Sequence, residues 1–95
     1  MIPKDRLPAH PGEVLQEEFL TQLEMTQSQL AEKMGVPLQR VNTLINGKRD
    51  MTPETAILLS GVLKTTPEFW MNLQTTYDLA LAQKKLAKMK LTAHA

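Results

Sequence analysis

The sequence contains no cysteine, which removes disulfide frameworks and thiolate metal sites together. Histidine is almost absent as well. His10 and His94 stand far apart along the chain, and His10 is expected in a loop or helix cap, so no metal site is expected. There is no long hydrophobic run: the most apolar stretch, residues 56–63, is interrupted by Ser60 and Gly61 and is too short to cross a bilayer. The opening MIPKDRLPAHPGE lacks an apolar signal core, so a soluble cytoplasmic protein is expected. Catalytic equipment is missing too. No nucleophile–base pair or phosphate-cradling glycine loop occurs, and the Glu and His residues are not at motif spacing. An enzyme, a cofactor and a small-molecule substrate are therefore not expected.

Charge of one sign is also scarce, because the 95 residues carry a net charge of only +1. Its distribution is more informative than its sum. Residues 1–25 hold two basic and five acidic side chains, residues 26–50 four and two, residues 51–80 one and three, and residues 81–95 four lysines and no acid. The positive blocks are thus the second quarter and the end of the chain, and phosphate contacts are expected to concentrate there.

The second quarter contains the most constrained stretch, TQSQLAEKMGVPLQRVNTLIN, residues 26–46. Thr26 and Gln29 form a capping box, with Met25 and Leu30 as its hydrophobic staple. Leu30, Ala31 and Met34 give one apolar face, and Gly35 ends the helix where a left-handed backbone is cheapest. Pro37 restarts the chain. Val41, Leu44 and Ile45 face inward on the second helix, and Asn46-Gly47 stops it. Ala31 is small where two helices must cross closely, and Gly35 sits at the corner; the whole is a helix-turn-helix pattern. Turning Val41, Leu44 and Ile45 inward leaves Gln39, Arg40, Asn42, Thr43 and Asn46 outside. Amide, guanidinium and hydroxyl groups read base edges and phosphates, and no carboxylate interrupts them. A solvated helical hairpin is the plainer explanation, but the lack of acid favours double-stranded DNA. Lys48 and Arg49, in the loop that follows, are placed to grip a phosphate.

The remainder reads as helix around that motif. Residues 1–10 are expected to be an extended arm, residues 11–82 the helix-turn-helix domain, and residues 83–95 a basic tail or helix extension. Pro11 opens a helix with the apolar stripe Val14, Leu15, Phe19, Leu20 and Leu23. Thr52-Pro53-Glu54 starts another, which its apolar circumference makes a buried core helix. Thr66-Pro67-Glu68 starts the last, and no breaker follows. About 25 helical residues would extend ~38 Å, beyond the radius of gyration of ~12 Å expected for a compact domain of this size. Its end would then pair with a second copy or fray. Phe69, Trp70, Leu73, Tyr77 and Leu81 are the candidate dimer face, with core packing as the alternative for part of it. The fold class is all-α: a compact bundle of about five helices with a long C-terminal helix.

The runs HPGEVLQEEFL, TQSQLAEKMGVPLQRVNTLINGKR, MTPETAILLS and TTPEFWMNLQTTYDL resemble the HigA-type, VapI-like antitoxins within the Xre/lambda-repressor-like group. The likeness covers about residues 8–81. It implies a lambda-repressor-like bundle, a homodimer, autorepression at an operator, and a HigB-type toxin partner that cuts mRNA on ribosomes. It also implies that Gln27, opening the first motif helix, grips a phosphate, and that Leu38, Gln39, Arg40 and Thr43 come near bases. Toxin-contacting residues are marked by no local motif. Two other functions fit the residues: a free-standing Xre-family repressor without a toxin, and a protein-interaction module that no longer binds DNA.

Overall fold

Pro11, with its φ fixed and no N–H to satisfy, starts the first helix, and the His10 imidazole caps it by accepting a hydrogen bond from the Gly12 N–H at 2.9 Å. In this computed structural model, which describes residues 7–94 and side chains to residue 89, that helix, α1, spans residues 11–23. Part of the expected extended arm lies outside the described residues, and Leu7–Ala9, which are described, are not helical. α1 is not uniform. Pro11–Val14 is α-helical, Leu15–Leu20 widens into a π-helical turn, and Thr21–Leu23 closes as α-helix. Within the wide turn the Thr21 N–H donates to the Gln16 carbonyl, five residues back.

That extra residue per turn changes which side chains reach the core. Leu15 and Leu20, five apart, are both buried. Leu23, which ordinary helical spacing puts on the same stripe, is instead 54% exposed. The sequence expectation for Leu23 is corrected here: the wide turn carries Leu20 inward and rotates Leu23 out. The helix ends on Glu24 in the left-handed region (φ 53), and the Met25 N–H bonds back to the Leu20 carbonyl at 2.9 Å.

α2 (Gln27–Met34) begins with the expected capping box: the Thr26 Oγ1 accepts from the Gln29 N–H at 3.0 Å, and the Gln29 Oε1 accepts from the Thr26 N–H at 2.9 Å. Gly35 closes it with φ 73, and the Val36 N–H returns to the Ala31 carbonyl at 3.0 Å. Pro37 caps α3 (Leu38–Ile45). Thr52 caps α4 (Pro53–Leu63), its Oγ1 accepting from the Thr55 N–H at 3.3 Å. Thr66 likewise accepts from the Phe69 N–H at the start of α5 (Pro67–His94).

α2 packs on α3 and α4, α5 on α4, and α1 on both α3 and α5. Leu15, Leu30, Leu44, Leu59 and Trp70 meet in the core, none more than 1% exposed. α4 contributes Thr55, Ala56 and Leu59 to the interior but leaves Ile57 59% exposed. The expectation of a buried core helix is thus corrected: α4 packs mainly on α2 and α5, meets Arg40 of α3 at its first turn, and leaves the side carrying Ile57 open. α5 runs unbroken for 28 residues, ~42 Å at 1.5 Å per residue. It gives the molecule extents of 52 × 25 × 22 Å and a radius of gyration of 15.5 Å. Residues 83–94 continue α5 without a break. Among the described residues, no helix is long and apolar enough to cross a membrane.

One contact sets how closely α1 and α3 approach. A Cβ built on Gly12 would lie 1.9 Å from the Leu44 carbonyl oxygen and 2.9 Å from the Ile45 Cα. Both are backbone atoms and cannot swing aside. Gly12→Ala is expected to lower the stability to urea by about 1–3 kcal/mol, the usual range for overpacking. Gly35→Val, where added atoms meet nothing within 4 Å, should lose about 1–2 kcal/mol through its left-handed backbone alone. Denaturation midpoints check both.

Candidate nucleic-acid interface

Burying Val41 and Leu44 on one side of α3 determines what its other side presents. Leu38, Gln39, Asn42 and Asn46 are exposed, with Leu38 at 48%, while Arg40 and Thr43 are half-buried. The Thr43 hydroxyl is turned to its own helix, donating to the Gln39 carbonyl at 2.9 Å and the Arg40 carbonyl at 3.2 Å. No residue of α3 is acidic.

The helix-turn-helix brings three amides into one line. The Asn46 Nδ2 donates to the Asn42 Oδ1 at 3.3 Å, and the Asn42 Nδ2 donates to the Gln27 Oε1 at 3.1 Å. Gln27 is the first residue of α2, so the line crosses from the end of one motif helix to the start of the other. Arg40 behaves differently. It points toward α4, where its guanidinium meets Glu54 and Thr55.

Beyond Asn46 the chain turns through Gly47 (φ 73), and the Lys48 N–H closes α3 by donating to the Thr43 carbonyl at 2.9 Å. Lys48 and Arg49 are exposed, and neither forms an ion pair with a described residue. A side chain from the last helix holds their loop. Gln74, 4% exposed, accepts from the Met51 N–H at 2.6 Å and donates to Asp50 at 3.3 Å and Asp78 at 2.9 Å. Next along α5, the Tyr77 ring meets the His10 ring edge-on at 5.1 Å.

Sequence reasoning missed Gln74, Glu54, Thr55 and Gly12. Gln74 did leave a signal: it is an amide four residues after Trp70, on the face that Trp70, Leu73 and Tyr77 turn inward. Gly12 left one too, being a glycine in a first helical turn where no capping role calls for it. Glu54 reads only as part of the Thr-Pro-Glu start of α4. The candidate dimer face is divided by the structure. Trp70 is fully buried and donates to Thr65 at 2.7 Å, so it lies inside the protomer and supports that face from behind. Phe69 and Leu81 are exposed at 38% and 40%, and Leu73 and Tyr77 are half-buried. The most exposed apolar side chains of α5 are others: Leu79, Leu86 and Met89.

A helix-turn-helix family model matches residues 16–70, which includes both motif helices and the start of α5. Antitoxin HigA-1 of Vibrio cholerae is 46% identical over 74 residues, covering 78% of this chain and 70% of its own. The chain belongs to the HigA-like helix-turn-helix family. The solved structure of the Pseudomonas aeruginosa antitoxin HigA with the higBA promoter superposes with a TM-score of 0.82 at 36% identity, covering 86% of this chain and 89% of that one. The antitoxin GraA in complex with its operator superposes with a TM-score of 0.82 at 35% identity, over 97% and 93% of the two chains. This HigA-like chain thus shares most of its fold with both solved structures.

In this HigA-like protein, Gln74→Leu should strand the Met51 N–H and release Asp50. A loss of about 1–3 kcal/mol is expected, the penalty for an unsatisfied buried group. Faster amide exchange at residues 48–52 than elsewhere in the domain would locate the effect in the loop.

Proposed function

We propose that this protein is a sequence-specific DNA-binding antitoxin, a cytoplasmic homodimer that represses its own operon and neutralises a HigB-type toxin by direct binding. The observation that carries the DNA part is the exposed edge of α3, where amides stand in line without an acid on that helix and the uncompensated Lys48 and Arg49 follow it. Gln39 and Asn42 offer both donors and acceptors, as bidentate readout of adenine requires. Gln27, Lys48 and Arg49 take the phosphates on either side. Leu38, the exposed apolar residue at the entrance of α3, suits a thymine methyl. Family membership and the operator complexes of relatives support the same reading, and the antitoxin names of those relatives support the toxin partner. No catalytic role is proposed for any residue. A free-standing repressor would share all of the DNA chemistry and differ only in lacking the toxin.

The test is a titration of the duplex upstream of the protein's own gene against a random duplex of equal length. Preference for the upstream duplex is expected, with a footprint of two half-sites about 34 Å apart, as a dimer requires. Asn42→Ala should reduce that preference by about 1–3 kcal/mol. Lys48→Ala should weaken binding to both duplexes alike and flatten the salt dependence by about 0.9 per lost phosphate contact. Equal affinity of the wild type for both duplexes would overturn sequence-specific recognition. Co-purification with the product of the adjacent gene separates the antitoxin from the free-standing repressor.

A further inference from the structure

Although α3 has no acid, one carboxylate reaches its edge from the next helix. Glu54 stands in the first turn of α4, its side chain 73% exposed, and its Oε1 accepts from the Arg40 Nη2 at 2.8 Å. The same nitrogen donates to the Oγ1 of Thr55 at 3.1 Å, and Thr55 is buried. The Arg40 side chain is only 25% exposed, and its Nε is buried without a hydrogen-bond partner. The guanidinium is therefore anchored at one nitrogen, and Nη1 takes part in neither bond. The strongest internal arrangement would be a two-pronged one, with both prongs of the guanidinium on the carboxylate. The contact seen is end-on with Glu54 exposed to water, and a single-pronged pair that solvent reaches is weak and readily exchanged.

We propose that Glu54 is a specificity-determining residue of DNA recognition, holding Arg40 off the phosphate backbone until the paired acceptors of a base edge replace it. This inference rests on the DNA-binding reading above. An Arg40 without Glu54 would gain from any phosphate within reach, whatever the sequence, because phosphate attraction carries no base information. With Glu54 present, moving Arg40 to a phosphate breaks the ion pair and leaves a carboxylate beside that phosphate, so the gain largely cancels. A guanine offers O6 and N7 together, and the two-pronged bond it makes with Arg40 compensates for the lost contact. Glu54 acts as a positioning residue in this scheme. It sets what Arg40 accepts as a partner and touches no base itself.

The experiment is a fluorescence-anisotropy titration of the full-length protein against the upstream duplex and a random duplex, repeated over a salt series. Glu54→Gln removes the charge and keeps the size. Its affinity for random DNA is expected to rise ~2–5-fold, the range set by an exposed ion pair. The salt slope on random DNA should steepen by about 0.9, one added phosphate contact. Affinity for the upstream duplex should rise less, so the specificity ratio falls. Glu54→Asp, which retains the charge, should restore the ratio. In an Arg40→Ala background the Glu54→Gln effect should vanish. Two results would overturn the proposal: affinities for the two duplexes rising by the same factor, or the Glu54→Gln effect persisting without Arg40. Either would mean simple repulsion between Glu54 and DNA. A wild-type protein with no preference for the upstream duplex would overturn the DNA-binding reading itself, and this inference with it.

Discussion

The exposed edge of α3 depends on how its hidden edge is clamped. An eight-residue helix is too short to hold its shape alone, so tertiary packing must hold it. Two contacts do so. The corner at Gly35 fixes the entry of the helix against α2. At its far end, the first turn of α1 lies directly on the backbone of Leu44 and Ile45, at a separation that only a residue without Cβ permits. Any displacement of α1 would shift the end of α3, and with it Asn46 and the turn into the basic loop.

α5 adds a third support from further along the chain. Trp70 fills the centre of the core and packs against Phe19, the ring centroids 5.1 Å apart. One turn later Gln74 takes up the Met51 N–H, and about one turn after that Tyr77 closes over His10. One face of one helix thus touches, in order, the middle of α1, the loop after α3 and the N-terminal cap of α1. A buried amide with both ends engaged is worth more for placement than for stability, since its hydrogen bonds replace equivalent ones to water. Its contribution here is to fix the path of the segment that carries Lys48 and Arg49.

Much of this architecture is legible in the amino-acid sequence. The capping box at Thr26 and Gln29, the left-handed Gly35 and the Thr-Pro-Glu starts of α4 and α5 are local signals, each satisfied within a few residues, and the structure contains all of them. What escaped reading depends on contacts between distant segments. Nothing in the local pattern announces a π-helical turn, so the register of α1 slipped at Leu23. α4 reads as buried because its circumference is apolar, yet the side carrying Ile57 is left open in the structure. For Trp70 the structure selects the core-packing alternative, since it is fully buried within the protomer. The partners of Arg40 lie fourteen and fifteen positions further on, beyond any periodicity argument. For the interface, residue types were readable and their mutual arrangement was not. The amides of α3 were visible, but not that Asn42 would join Gln27 across the corner.

That joined line of amides has a property of its own. Each side-chain amide has a carbonyl and an amino group of nearly equal size, so half a turn about its last bond exchanges donor for acceptor. If Gln27, Asn42 and Asn46 rotate together, both links survive with their direction reversed. The end at Gln27 then offers a carbonyl where it had offered an N–H, and Asn46 changes in the opposite sense. Three neutral residues therefore form a rail of reversible polarity across the motif, able to match either sense of hydrogen bond without moving the backbone.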